Sequence, residues 1–120
     1  QFDTSLHRDE TIIDAQEWLR QHCIEEISLS DLANKLDLSP RTFNRRFKKA
    51  VGVTANSYLQ NLRLNNAKEL LRTSNLSITE VAARSGYQDD SYFCLRFRKL
   101  MGQTPLSYRK SVRGKLFQLI

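Results

Sequence analysis

The chain is short of the residues that end helices. Its 120 residues include only four Gly and two Pro, so long helices can run uninterrupted. Two Cys and two His leave no cluster with metal-binding spacing, and both thiols, Cys23 and Cys94, are expected reduced in a cytoplasmic protein. No apolar run approaches the roughly 18–20 residues of a membrane span, and no signal-peptide pattern is read at the N-terminus. No paired acids, no nucleophile beside a base and no phosphate-cradling Gly loop are found, which argues against an enzyme. No catalytic residue, metal ligand or cofactor is expected. A first residue of Gln rather than Met is expected of a piece of a longer protein.

One absence is regional. No acid occurs between Pro40 and Lys68. Residues 1–40 hold nine acids and three bases, whereas residues 41–120 hold sixteen bases and four acids. An asymmetry of this size points to a polyanionic partner, either nucleic acid or an anionic membrane.

What is present is a duplication. SLSDLANKLDL (28–38) aligns with SITEVAARSGY (77–87), and FNRRFKKAVGVTANSY (43–58) aligns with FCLRFRKLMGQTPLSY (93–108). Phe43, Arg46, Phe47, Lys49, Gly52, Thr54, Ser57 and Tyr58 recur as Phe93, Arg96, Phe97, Lys99, Gly102, Thr104, Ser107 and Tyr108. Each copy reads as two helices. Ser28-x-x-Asp31 resembles a capping box, and Ser77-x-x-Glu80 fits the pattern fully. A tight turn follows at Asp37 in one copy and Gly86 in the other, both residues that accept left-handed backbone. Ser39 caps the next helix, with Pro40 in its first turn, and its counterpart starts near Asp89 or Asp90. The two end at Gly52 and Gly102. Two helices joined by a three- to four-residue turn form a helix-turn-helix.

The expected fold is all-α, with about seven helices arranged as two helix-turn-helix subdomains joined by a long linker helix. The organisation reads as an N-terminal linker remnant at 1–7, a first subdomain at 8–53, the linker helix at 54–73, a second subdomain at 74–113 and a C-terminal tail at 114–120. The linker pattern, with Leu59, Leu62, Ala67, Leu70 and Leu71, makes a rod of roughly 28 Å at ~1.5 Å per residue. Ahead of the first copy, ETIIDAQEWLRQHC (10–23) reads as an amphipathic helix whose Trp18 packs in the core.

The stretch SPRTFNRRFKK (39–49) carries five Lys or Arg between Arg41 and Lys49. Advancing ~100° per residue puts Phe43, Phe47, Ala50 and Val51 on one seam and Arg41, Arg45, Lys48 and Lys49 on the opposite face, with Asn44 and Arg46 at the flanks. A solvated face normally mixes signs to form pairs along the helix, and this one has no acid. Arg can pair two donors with guanine, and Asn can pair with adenine. Lys48 and Lys49 suit phosphates, as do Ser39 and the first N–H groups of the helix. In the second copy the outward face holds Ser91, Leu95, Arg98 and Lys99, with Tyr92 nearby. Leu95 sits where Arg45 sits in the first copy, and can touch a thymine methyl or contact nothing. Asp89 and Asp90 carry the wrong sign for phosphate. The second copy is therefore expected to bind more weakly and with less discrimination. No aromatic-bearing sheet supports RNA binding, and the basic helices spend their apolar seam on the core rather than on a membrane.

These residues resemble the DNA-binding domain of AraC/XylS-type bacterial transcription regulators. GYQDDSYFCLRFRKLMGQTPLSYR (86–109) is similar to the family's C-terminal signature, and LSPRTFNRRFK (38–48) and the Leu59-x-x-x-Arg63-x-x-x-Ala67-x-x-Leu70-Leu71 pattern also fit; the resemblance covers roughly residues 8–113. It implies two recognition helices in successive major grooves of a double-stranded operator, where the ~34 Å groove repeat accommodates the linker rod at an angle. It implies base contacts at Arg41, Asn44 and Arg45 and at Asp90, Ser91, Tyr92 and Leu95. The family commonly has Arg where Leu95 stands. Phosphate contacts are expected from Ser39, Lys48, Lys49, Arg98 and Lys99. The resemblance also implies control of transcription initiation, with RNA polymerase as a partner of the full-length protein. This chain alone is expected to be a monomer and the full-length protein a dimer, through a separate effector-sensing or dimerising domain. HRDETIIDAQEWLRQH (7–22) is similar to the opening of members whose N-terminal half is DJ-1/PfpI-like.

Overall fold

Among the residues that the computed structural model describes, 9–119 with side chains to residue 114, the chain forms seven α-helices. They are α1 (Glu10–His22), α2 (Leu29–Lys35), α3 (Pro40–Val51), α4 (Ala55–Thr73), α5 (Ile78–Arg84), α6 (Asp90–Met101) and α7 (Pro105–Leu119). The expected N-terminal remnant at 1–7, and Arg8 at the start of the expected first subdomain, lie outside the described residues. α7 continues to Leu119, so residues 114–119, expected as a tail, are helical. The chain divides into two compact units, and the boundary falls inside α4, between Leu62 and Arg63.

Local sequence sets the helix ends. The Ser28 and Ser77 hydroxyls accept from the backbone N–H groups of Asp31 and Glu80, at 3.2 and 3.1 Å. Ser39 accepts from Thr42 at 3.2 Å, ahead of Pro40. Asp89 caps α6 by accepting from Ser91 N–H at 2.9 Å. Each such cap satisfies a donor the helix cannot satisfy itself, worth about 1 kcal/mol. α3 and α6 stop at Gly52 and Gly102, whose φ values of 94° and 77° suit a residue without Cβ.

The turn between the paired helices is the same in both units. Leu38 N–H donates to Ala33 C=O, and Tyr87 N–H to Ala82 C=O, each at 2.9 Å. The residue before each donor is left-handed: Gly86 at φ 97° and Asp37 at φ 59°. Asp37 is the one described non-glycine residue with positive φ, at the position where the sequence substitutes it for the repeat's glycine.

Each unit has its own core. In the first, Ile12, Ala15, Leu19, Leu32, Ala33, Phe43, Phe47, Ala55 and Leu59 are buried together. In the second, Leu64, Ala67, Leu71, Val81, Ala82, Tyr87, Phe93 and Phe97 are. The repeat extends to ring geometry. Phe43–Phe47 and Phe93–Phe97 centroids lie 5.7 and 5.8 Å apart, and Phe47–Tyr58 and Phe97–Tyr108 both meet edge-on at 5.5 Å. Edge-to-face contacts of this kind add roughly 0.5–1.5 kcal/mol beyond area burial. Trp18 packs at the edge of the first core, half-buried, stacked on His22 at 4.3 Å and with the Lys35 ammonium 5.6 Å from its ring centre.

Two cations on α7 finish α4. Arg109 Nε donates to Leu71 C=O at 3.1 Å, while Arg113 donates to Ser74 C=O and, at 2.8 Å, to Asn75 Oδ1. They meet carbonyls that a helix C-terminus leaves without intrahelical partners. Burial, and then the neighbouring Arg113, lower the Arg109 pKa from its ordinary value. No described helix is long and apolar enough to cross a membrane.

Candidate nucleic-acid interface

α3 is anchored through Phe43 and Phe47, which are 1% and 0% exposed. With that seam fixed, helical geometry determines what faces out. Arg41, Asn44, Arg45, Lys48 and Lys49 are all exposed, and Ser39 is exposed at the start of the helix. Among the described residues, none of these four cations forms a salt bridge. The Ser39 hydroxyl is already engaged: it accepts from Thr42 N–H and donates to Thr42 Oγ1 at 3.0 Å. Asn44 forms part of the wall of an open groove of about 370 Å³, together with Leu29, Ser30, Pro40, Thr54 and Asn56.

Arg46 stands apart. Its Nε and Nη2 donate to both carboxylate oxygens of Asp9, at 2.8 and 2.6 Å. The Arg46 guanidinium in turn holds the Asp9 carboxyl below its ordinary pKa, against the opposing effect of burial. Nothing in the sequence signals this pair, because the partners are 37 positions apart.

α6 is anchored in the same way through Phe93 and Phe97, both fully buried. Asp90, Ser91, Tyr92, Leu95, Arg98 and Lys99 are exposed, Leu95 at 65% and Tyr92 at 45%. Leu95 is thus an apolar side chain standing in solvent on the outward face, where α3 has Arg45. Asp90 is tethered, its Oδ2 accepting from the Thr79 hydroxyl on α5 at 2.8 Å. Tyr92 leans on Tyr87 at 6.2 Å. Tyr87 is buried, which pushes its phenol up to about 12 despite the opposing Arg63 and Arg96 charges. It is therefore a neutral core residue at any physiological pH.

Each unit therefore leaves its expected contact residues exposed along one helix and, for Ser39, at that helix's N-cap. The faces differ in charge: α3 shows four cations and no acid, whereas α6 shows Arg98, Lys99, Tyr92, Leu95 and one acid, Asp90, next to its N-cap Asp89. The α3 face is therefore the more positive of the two. Among the described residues, no group of three or more His, Cys, Asp or Glu could hold a metal ion.

Comparison with known proteins places this architecture. The model of a helix-turn-helix domain family matches residues 32–111. The HTH-type transcriptional activator RhaS of Escherichia coli O139:H28 is 37% identical over 99 residues, 82% of this chain and 36% of that protein. RhaS of Citrobacter koseri is 39% identical over 101 residues, 84% of this chain and 36% of that protein. The chain thus spans about a third of the length of these curated relatives. Among solved structures, the DNA-binding domain of the global transcriptional factor AdpA, in complex with a target DNA, superposes with a TM-score of 0.83 at 31% identity, covering 88% of this chain and 95% of that one. An AraC-type regulator from Chromobacterium violaceum superposes with a TM-score of 0.76 at 26% identity, covering 86% and 92%. With two capped helix-turn-helix units and a matched family model over most of its length, the chain belongs to the helix-turn-helix family of AraC-type DNA-binding domains of transcription regulators.

Proposed function

We propose that the chain binds a double-stranded DNA operator sequence-specifically and unequally, with α3 as the principal reader and α6 as the weaker partner in a successive major groove. The observation that carries this reading is the outward face of α3, where exposed Arg41, Asn44, Arg45, Lys48 and Lys49 stand with no acid among them. Arg41, Asn44 and Arg45 lie in the first half of the helix, the part that contacts base edges in helix-turn-helix proteins. Lys48 and Lys49, with the Ser39 end of the helix, hold phosphates and set the register. On α6, Arg98 and Lys99 repeat the phosphate role. Ser91, Tyr92 and Leu95 contact base edges, and Asp90 contributes through its exposed side while tied to Thr79.

In the full-length protein this module directs transcription initiation in the bacterial cytoplasm, in partnership with RNA polymerase. RhaS, which is named as an activator, supports that direction. The module is a monomer, and dimerisation belongs to a further domain. The similarity of residues 7–22 to DJ-1/PfpI-containing regulators supports a domain of that type.

Titration of the 120-residue chain against duplex DNA, single-stranded DNA and duplex RNA over a salt series tests the reading. Preference for duplex DNA is expected, together with a log–log salt slope of several units. Equal affinity for duplex RNA would overturn it, because A-form major grooves exclude a helix.

A further inference from the structure

The Asp9–Arg46 pair does more than satisfy two charges. Arg46 lies at the flank of the α3 face, with its side chain 35% exposed and that of Asp9 21% exposed. Asp9 is the N-cap of α1, and Oδ1 also accepts from Ile12 N–H at 3.4 Å. A two-pronged bond therefore joins the start of α1 to the middle of the recognition helix. The fork geometry of guanidinium and carboxylate fixes angle as well as distance.

The second unit supplies an internal control. Arg46 corresponds to Arg96, and Arg96 has no ion-pair partner among the described residues; its Nε is buried without a hydrogen bond. Yet Phe93, Phe97 and Tyr108 pack with the same ring spacings as Phe43, Phe47 and Tyr58. The ion pair is therefore not what packs the helix. Partly exposed pairs also contribute little to stability. What the pair adds is resistance to rolling. A helix held along one aromatic seam resists being pulled away far better than it resists turning about its own axis. Arg46 sits to one side of that seam, and a rigid contact there opposes rotation. Arg45 is its immediate neighbour, and sites of this kind need their side chains held within roughly 10–20°.

We propose that Asp9 is a positioning residue for base readout: by clamping Arg46 it fixes the roll of α3 about its axis, and so the direction in which Arg41, Asn44 and Arg45 project. This rests on α3 being a reader of bases.

Asp9→Asn is the informative variant, since Asn still caps α1 but cannot pair its charge with Arg46. Bound duplexes are selected from a random pool with the 120-residue chain carrying no substitution, Asp9→Asn, Arg46→Met, both together, or Arg45→Ala. Circular dichroism melting checks the fold of each. For Asp9→Asn, base preference should weaken at the positions that Arg45→Ala affects, and the ratio of specific to non-specific affinity should fall roughly tenfold, within the range for losing one base contact. Non-specific affinity should hold or rise, because a negative charge has gone. Arg46→Met should show the same altered preference, and the double variant no further loss. Should Asp9→Asn fail to fold, Arg46→Met approaches the same pair from the other side. Unchanged base preference in Asp9→Asn, or losses that simply add in the double variant, would overturn the inference. If the unsubstituted chain selects no sequence at all, base reading itself fails and this inference falls with it.

Discussion

Arg45 and Leu95 occupy equivalent positions on equivalent helices, and in the proposed reading the difference between them sets how the two units share the work. A guanidinium can donate twice to guanine, and a good bidentate pair discriminates by about 1–3 kcal/mol. A leucine offers only van der Waals contact with a thymine methyl. Leu95 is 65% exposed and nothing in the free protein covers it. Leu95→Arg should therefore tighten binding on at least one duplex in a titrated panel, and no gain on any duplex would remove residue 95 from the interface. In the proposed reading Lys48 has a different task. Lys48→Ala should weaken binding to every duplex alike and flatten the salt slope by about one unit. A loss confined to particular sequences would argue against a phosphate contact. The Phe seam and the charged face were legible because both follow from a 3.6-residue period. The fate of Arg46 was not. Projection puts it at the flank with its neighbours, and only tertiary folding brings Asp9 to it.

Helix ends and turns were the most legible elements, since their determinants lie within four residues of one another. Ser28, Ser39, Ser77 and Asp89 cap where the sequence places them, and Gly52 and Gly102 terminate. Asp37 is the telling case. It holds φ at 59° in a turn where the repeat has glycine. A β-branched residue is poorly tolerated there, so Asp37→Val should destabilise the chain by roughly 1–2 kcal/mol, whereas Asp37→Gly should melt close to the unsubstituted protein. Equal melting of Asp37→Val and Asp37→Gly would contradict the left-handed assignment. α4 was harder to read. The periodic set read from its sequence includes Leu62 and Leu70, which are only half-buried, and does not include Leu64, which is 4% exposed. The helix serves two cores in turn, so no single stripe runs along it. Its C-terminal finish by Arg109 and Arg113 depends on residues 38 and 39 positions away, beyond any local pattern.

At the scale of the whole molecule, residues 28–58 and 77–108 are two copies of one unit that have diverged in charge and kept their packing. The aromatic spacings agree within 0.1 Å between copies, while the outward faces differ in nearly every residue before the shared basic pair. A duplicated scaffold retained for shape, with one outward helix face free of acid and the other mixed, suits a protein that reads one half-site closely and uses the other mainly for hold. The most direct test is selection of bound duplexes from a random pool by the unsubstituted chain and by Arg45→Ala and Leu95→Ala. The unsubstituted chain should yield one strongly conserved block of bases and a second, weaker block about one helical turn away. Arg45→Ala should lower affinity for that site by about 1–3 kcal/mol and erase preference at one position in the strong block, while Leu95→Ala should alter at most the weak one. Two blocks of equal strength, or a strong block that survives Arg45→Ala and collapses with Leu95→Ala, would contradict the assignment of α3 as the principal reader.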